Sequence, residues 1–165
     1  VVLSLCSIII TFENSNDIKM KKALLLFFSA VLLLFTSCKV EPKEINYGQD
    51  HCLLCDMTVV DKSHSAQYVT KKGKAYMFDA VECLVMKINR DDNENLMEFL
   101  LVADYADPGN LVDAKTATYL ISENIKSPMG ANLSAFSSKE TAEKLLKENG
   151  GKLYTWEQLK TELSK

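Results

Sequence analysis

Glycine and proline are scarce in this chain, six and three of 165 residues, which excludes collagen-like and low-complexity disordered classes. Histidine is scarcer still: two residues are too few for a metalloenzyme built on imidazoles. No basic cluster is long enough for a nucleic-acid surface, and 19 Lys and Arg against 22 Asp and Glu leave a net charge of −3. The chain is also too short for a polytopic membrane protein, and no uninterrupted apolar run reaches the roughly 20 residues a bilayer crossing needs. What remains suits one domain, or two very small ones sharing a core. Five cysteines (Cys6, Cys38, Cys52, Cys55, Cys83) are an odd number, which a simple disulfide framework does not leave.

The front of the chain reads as an address. Met20-Lys21-Lys22 is a short basic head, and Ala23 to Phe35 is a 13-residue apolar run broken only by Ser29, the pattern of a secretory signal peptide. Phe35-Thr36-Ser37-Cys38 resembles a lipobox, with Phe35 where Leu is commoner. That resemblance implies cleavage before Cys38 and acylation of its thiol and amine. Residues 1–19 precede the basic head and are expected to be a mis-assigned upstream extension, with the signal peptide at 20–37. A single long membrane span over both apolar runs fails, because Glu13, Asp17, Lys19, Lys21 and Lys22 interrupt it at about 2.5–3.5 kcal/mol each. Beyond Cys38 the protein would work outside the cytoplasm, where unprotected thiols oxidise.

Residues 38–44 form a polar tether, and one pattern then follows twice. Ala66–Thr70 and Ala75–Phe78 flank Lys71-Lys72-Gly73-Lys74, which predicts a hairpin. Asp79 is placed as the cap of a helix with Glu82 as its capping-box partner, and Val81, Leu84, Val85 and Ile88 make the buried face. Met97 to Val102 reads as a strand. In the second pass, Thr116–Ile121 and Asn132–Phe136 are strands, Ser137 caps a helix with Glu140, and Asn149-Gly150-Gly151 stops it. Lys152–Thr155 closes the pattern, and a short helix follows with Thr155 and Gln158 as a capping box over Trp156, Leu159 and Leu163. The expected fold is α+β: two related ββαβ halves, 45–104 and 105–165, packed together with a short C-terminal helix. Neither half, at some 45 residues, should be stable alone.

Chemistry concentrates in Asp50-His51-Cys52-Leu53-Leu54-Cys55-Asp56-Met57. A Cys-x-x-Cys pair outside the cytoplasm can be a thiol–disulfide catalyst, although the usual βαβ context is missing. Structural zinc needs four ligands, and the second pair would have to come from Cys83, His51 and His64. An ordinary Cys52–Cys55 disulfide with Met57 in the core is a third reading. The fourth is Cu(I), a soft ion that selects thiolate and thioether sulfur, and Met57 beside two cysteines shifts the balance towards it. Cys83 and Met86 share a helix face and read as a semi-buried sulfur pair, Met77 and Met97 as core, and His64 as a turn residue.

Ile45-Asn46-Tyr47-Gly48, Asp50-x-Cys52-x-x-Cys55-x-Met57, Asp61, Ala66-Gln67, Gly73-Lys74, Phe78-Asp79, Cys83, Met129-Gly130 and Ala135-Phe136 together resemble the NosL family. Many members carry Gly where this chain has Asp56, which bears on loop geometry. The resemblance implies two ββαβ halves and a non-enzymatic Cu(I) chaperone that supplies nitrous-oxide reductase together with a membrane transporter. It implies Cys52, Cys55 and Met57 as primary ligands, with Met129 reaching across from the other half. His51 either binds or shields, or is an exposed loop histidine. It also implies a lipoprotein, and Lys39 after the acylated cysteine favours the outer membrane, facing the periplasm. A periplasmic thiol–disulfide oxidoreductase using Cys52 and Cys55, and a copper carrier for another oxidase, are the rival functions.

Overall fold

The structure, a computed structural model, describes residues 39–164. The upstream extension, the signal peptide and the lipidation of Cys38 lie outside the described residues, as does Lys165.

Strands β1 (Ala66–Thr70) and β2 (Ala75–Phe78) form the expected antiparallel hairpin, in register from Ala66↔Phe78 to Val69↔Ala75. Helix α1 (Val81–Asp91) follows, and its apolar stripe Val81, Leu84, Val85, Ile88 is buried as its spacing requires. A 3-10 turn (Glu94–Leu96) leads into β3 (Met97–Asp104), which pairs antiparallel with β1. The second half repeats the order with β5 (Thr118–Ile121), β6 (Leu133–Phe136), α2 (Lys139–Asn149) and β7 (Lys152–Tyr154). In one half β1 lies between β2 and β3, and in the other β5 lies between β6 and β7, every neighbour antiparallel. The two ββαβ units meet where β3 and β6 pair in parallel at Asp104↔Ala135. The described sheet therefore runs β2-β1-β3-β6-β5-β7.

Strand β4 (Asp107–Asp113) was not expected from the sequence; it pairs antiparallel with β3 outside that order. Asp107-Pro108-Gly109-Asn110 carries turn chemistry, and the first four residues of the strand are exposed. An edge tolerates proline because one row of N–H groups faces solvent, so only the ladder offered by β3 makes this segment a strand.

One core serves both halves. Phe78, Leu84, Val85 and Val102 of the first pack with Tyr119, Leu133, Trp156 and Leu159 of the second. A smaller cluster of Leu120, Ile125, Phe136 and Ala142 fills the space under α2. This sharing is the physical reason for the repeat: each unit offers an apolar face that the other covers. Helix α3 (Trp156–Glu162) is held by its capping box, in which Thr155 accepts from the Gln158 N–H and the Gln158 side chain returns to the Thr155 N–H. The caps of the other two helices differ from expectation. Ser138, one residue later than read, caps α2. Ala80 occupies the N-cap of α1 and no side chain caps it, so Asp79 is not the cap and Glu82 is not its partner. Among the described residues no helix is long and apolar enough to cross a membrane.

Candidate metal centre

The Cys-x-x-Cys loop is stitched to the hairpin. The Leu53 N–H donates to the Met77 carbonyl (2.9 Å), and Cys52 forms a parallel bridge with Met77 on β2. Inside the loop the Cys52 N–H reaches the Met57 carbonyl (2.8 Å) and the Asp56 N–H reaches the Cys52 carbonyl (3.0 Å). Asp56 closes the turn at φ 63, a left-handed conformation that aspartate tolerates, so the loop keeps its course without glycine.

Because β2 ends at Phe78 and α1 begins three residues later, Asp79 and Cys83 stand one helical turn apart beside the loop. Cys52, Cys55, Cys83 and Asp79 offer ligand atoms that all lie within 4.8 Å of one another. The Cys55 thiol donates to Asp79 Oδ1 at 3.3 Å, and Cys83 Sγ lies 3.9 Å from Cys55 Sγ. Two sulfurs sharing one ion at about 2.3 Å stand roughly 3.8–4.0 Å apart, so this separation already suits a common metal. All three thiols are free.

Electrostatics point the same way. A hydrogen bond from the Cys83 thiol pulls Cys52 down from 9.0 to about 6, against the opposing effect of its burial. Cys52, only 2% exposed, is thereby the most acidic of the three thiols. Cys83 is held protonated, first by that bond to Cys52 and then by burial, and burial pushes Cys55 up to about 11. Asp79 Oδ2 is buried without a hydrogen-bond partner, an oxygen that a cation would satisfy. A buried acidic thiol beside an under-satisfied carboxylate fits a positive ion.

The residues singled out in the sequence fall into two groups. Cys52 and Cys55 enter the cluster. Met57 is 52% exposed and Met129 37%, so both thioethers stand where solvent or a partner can reach them. His51 Nδ1 lies 3.1 Å from the Asp56 carbonyl on the outer side of the loop. His64 does not supply the second zinc pair: it is buried, with Nδ1 on Asp61 (2.7 Å) and Nε2 on Ser134 Oγ (3.3 Å). Glu82 is likewise buried, bonded to Ser127, which docks the Met129 loop onto α1. Sequence reasoning gave Asp79 to a helix cap and Cys83 to packing. Their i, i+4 spacing was the available signal; that the helix start faces the Cys-x-x-Cys loop is tertiary information.

The NosL family profile matches residues 42–164. The copper-binding lipoprotein NosL of Stutzerimonas stutzeri is 29% identical over 148 residues, spanning 79% of this chain and 77% of that protein. The crystal structure of the copper chaperone NosL from Shewanella denitrificans superposes with a TM-score of 0.63 at 21% identity, over 73% of this chain and 96% of that one. That likeness is one of fold, and it includes the mixed sheet and helices described above.

Proposed function

The chain belongs to the NosL family, and from that premise we propose that it is a copper carrier, holding one Cu(I) and passing it on by ligand exchange. The observation that carries the reading is the trio of free thiols packed with Asp79 beneath a loop whose rim bears a thioether. Cys52 and Cys55 supply thiolate sulfur and Met57 closes the ion from the solvent side, a soft set that Cu(I) prefers over harder ions. Met129 is the fourth sulfur, brought to the first half by the loop that Ser127 anchors on Glu82. Cys83 and Asp79 form the floor. His51 shields the rim.

Transfer needs no covalent catalysis, so the protein is not an enzyme. Leu53 and Met57 are exposed large apolar side chains on the Cys-x-x-Cys loop, giving an incoming partner an apolar contact at the site. An incoming ligand displaces Met57 first, since a thioether leaves without taking up a proton. The recipient is nitrous-oxide reductase, working with its membrane copper-insertion transporter. Acylated Cys38 ties the domain to the outer membrane on its periplasmic side, in keeping with the lipoprotein named among the relatives.

Counting protons tests this ligand set. Above about pH 6 Cys52 has no proton to lose, whereas Cys55, pushed up to about 11, must release one when metal binds. Anaerobic calorimetry in buffers of different ionisation enthalpy is expected to show one proton released per copper at neutral pH. Affinity should fall about tenfold per unit as pH drops from 9 to 6, and about a hundredfold per unit below 6, where Cys52 is protonated as well. Binding with no proton release would rule out thiolate ligation by Cys55.

A second reading has one observation behind it: Cys52, Cys55, Cys83 and Asp79 form a four-donor set, the coordination number of structural zinc. The second pair, for which the sequence offers Cys83, His51 and His64, is Cys83 with Asp79 in space. Thioethers bind zinc poorly, so this reading leaves exposed Met57 and Met129 without a role.

A further inference from the structure

The turn between β1 and β2 carries three lysines in four residues, Lys71, Lys72 and Lys74, in a chain whose net charge is −3. All three are exposed, and among the described residues none has a carboxylate partner. Three acidic groups of the flanking segments are already engaged elsewhere: Asp91 by Lys87 and Arg90, Glu94 by Lys160 and Lys115, Glu41 by Lys39. The lysines border a shallow hollow of about 510 Å³ that no acidic side chain lines, floored by Tyr68, Tyr76 and Leu96. Leu96 is 58% exposed, and Lys74 Nζ sits 4.6 Å above the centre of the Tyr76 ring. Ammonium groups ringing aromatic and aliphatic side chains match the composition of a membrane–water interface.

The tether leads to the same place. Lys43 is fixed to β1 by two hydrogen bonds with the Gln67 amide, N–H to Oε1 at 2.9 Å and Nε2–H to the Lys43 carbonyl at 2.6 Å. Val40 then lies against the turn: a Cβ added to Gly73 would be 3.9 Å from Val40 Cγ2. Cys38 is two residues further on, within about 7 Å of chain. The other end of β2 carries the metal cluster. Gly73 to Asp79 is six residues, roughly 20 Å along an extended strand.

We propose that the Lys71–Lys74 turn is a docking surface for anionic phospholipid headgroups, which seats the anchored domain on its membrane with the metal loop turned towards the aqueous compartment. The proposal rests on the reading of Cys38 as a lipid anchor. The acyl chains hold the protein; the lysines orient it. Each lysine near an anionic surface contributes about a fivefold preference for the seated state, and salt screens it.

The test uses the processed, acylated protein reconstituted in vesicles of phosphatidylcholine alone or with added phosphatidylglycerol. Brief lysine acetylation is read by mass spectrometry, with Lys147 on α2 as reference. On anionic vesicles at low salt, Lys71, Lys72 and Lys74 are expected to react at least about fivefold more slowly than on neutral ones, with Lys147 unchanged and the difference abolished by high salt. Lys39, beside the turn, is expected to be protected with them, and in the K71Q/K72Q/K74Q protein that protection should disappear. Equal rates on both vesicles, in protein that stays with them through an alkaline wash, overturn the docking surface and leave the anchor standing. Protein that washes off and lacks the acyl mass overturns the anchor reading itself. Protection that arises only when periplasmic extract is added assigns the turn to an acidic protein and overturns the lipid proposal.

Discussion

Replacing Cys52 by serine is expected to lower Cu(I) affinity by about three orders of magnitude, about 4 kcal/mol, while leaving the chain folded. The reason is specific to this thiol. Among the three, Cys52 is the one whose thiol is shifted down, to about 6, by the neighbouring Cys83 thiol. A hydroxyl at that position is neutral and hard, so the ion loses both its best charge and its best sulfur. The loss should exceed the roughly 10–100-fold that removal of a supporting group costs a metal site. Asp79 gives the contrast. Asp79→Asn should fall within that smaller range for copper, yet raise the stability of the metal-free protein by about 1 kcal/mol, because it removes a buried charge with an unpaired oxygen. Opposite signs for binding and stability identify a residue kept for its ligand. Competition titrations against a chromophoric Cu(I) chelator, paired with denaturant melts, read both numbers. A Cys52→Ser protein within a few-fold of the parent would remove this thiol from the site.

The second large effect concerns the fold that carries the site. Gly151, between α2 and β7, has φ 110, and a Cβ there would stand 2.2 Å from the Ile121 carbonyl oxygen and 3.0 Å from Ser122 Cα. Both are backbone atoms of β5 and its exit, so no side chain can turn aside. Gly151→Ala is expected to cost about 3–4 kcal/mol from left-handed strain and overlap together, and to lower the melting temperature by about 10–15 °C. Gly150 is the internal control. Its φ is 70 and a Cβ would meet nothing within 4 Å, so Gly150→Ala carries only the strain, about 1 kcal/mol. Thermal melts of the two variants within a few degrees of each other would contradict the close approach of β7 to β5.

Much of this architecture is legible in the sequence where local chemistry and tertiary packing agree. The β1–β2 hairpin, the inner face of α1 and the Thr155–Gln158 capping box all follow from spacing, because alternation, a 3.6-residue stripe and reciprocal side-chain bonds are short-range signals. Strand β4 is different: its Pro108 and Gly109 speak locally for a turn, and only the free edge of β3 overrides them. The metal site divides in the same way. Cys52, Cys55 and Met57 sit in one short loop and can be read as a unit. Asp79 and Cys83 cannot, because an aspartate just before a helix looks like a cap, and a cysteine on an apolar stripe looks like packing. What makes them part of the site is the stitching of the loop to β2 through Leu53 and Met77. Glu82 shows the same ambiguity, occupying a capping-box position by spacing while its carboxylate holds Ser127 across the halves.

The central claim is a preference for a soft monovalent ion in a pocket that also offers four donors to zinc. Copper-edge absorption on the reduced, lipid-free domain, given one equivalent of Cu(I) in the presence of excess zinc under strict anaerobiosis, addresses it directly. The account predicts one bound copper per chain with sulfur as the dominant scatterer, and no displacement by zinc. Zinc occupying the thiols while copper stays in solution would contradict it.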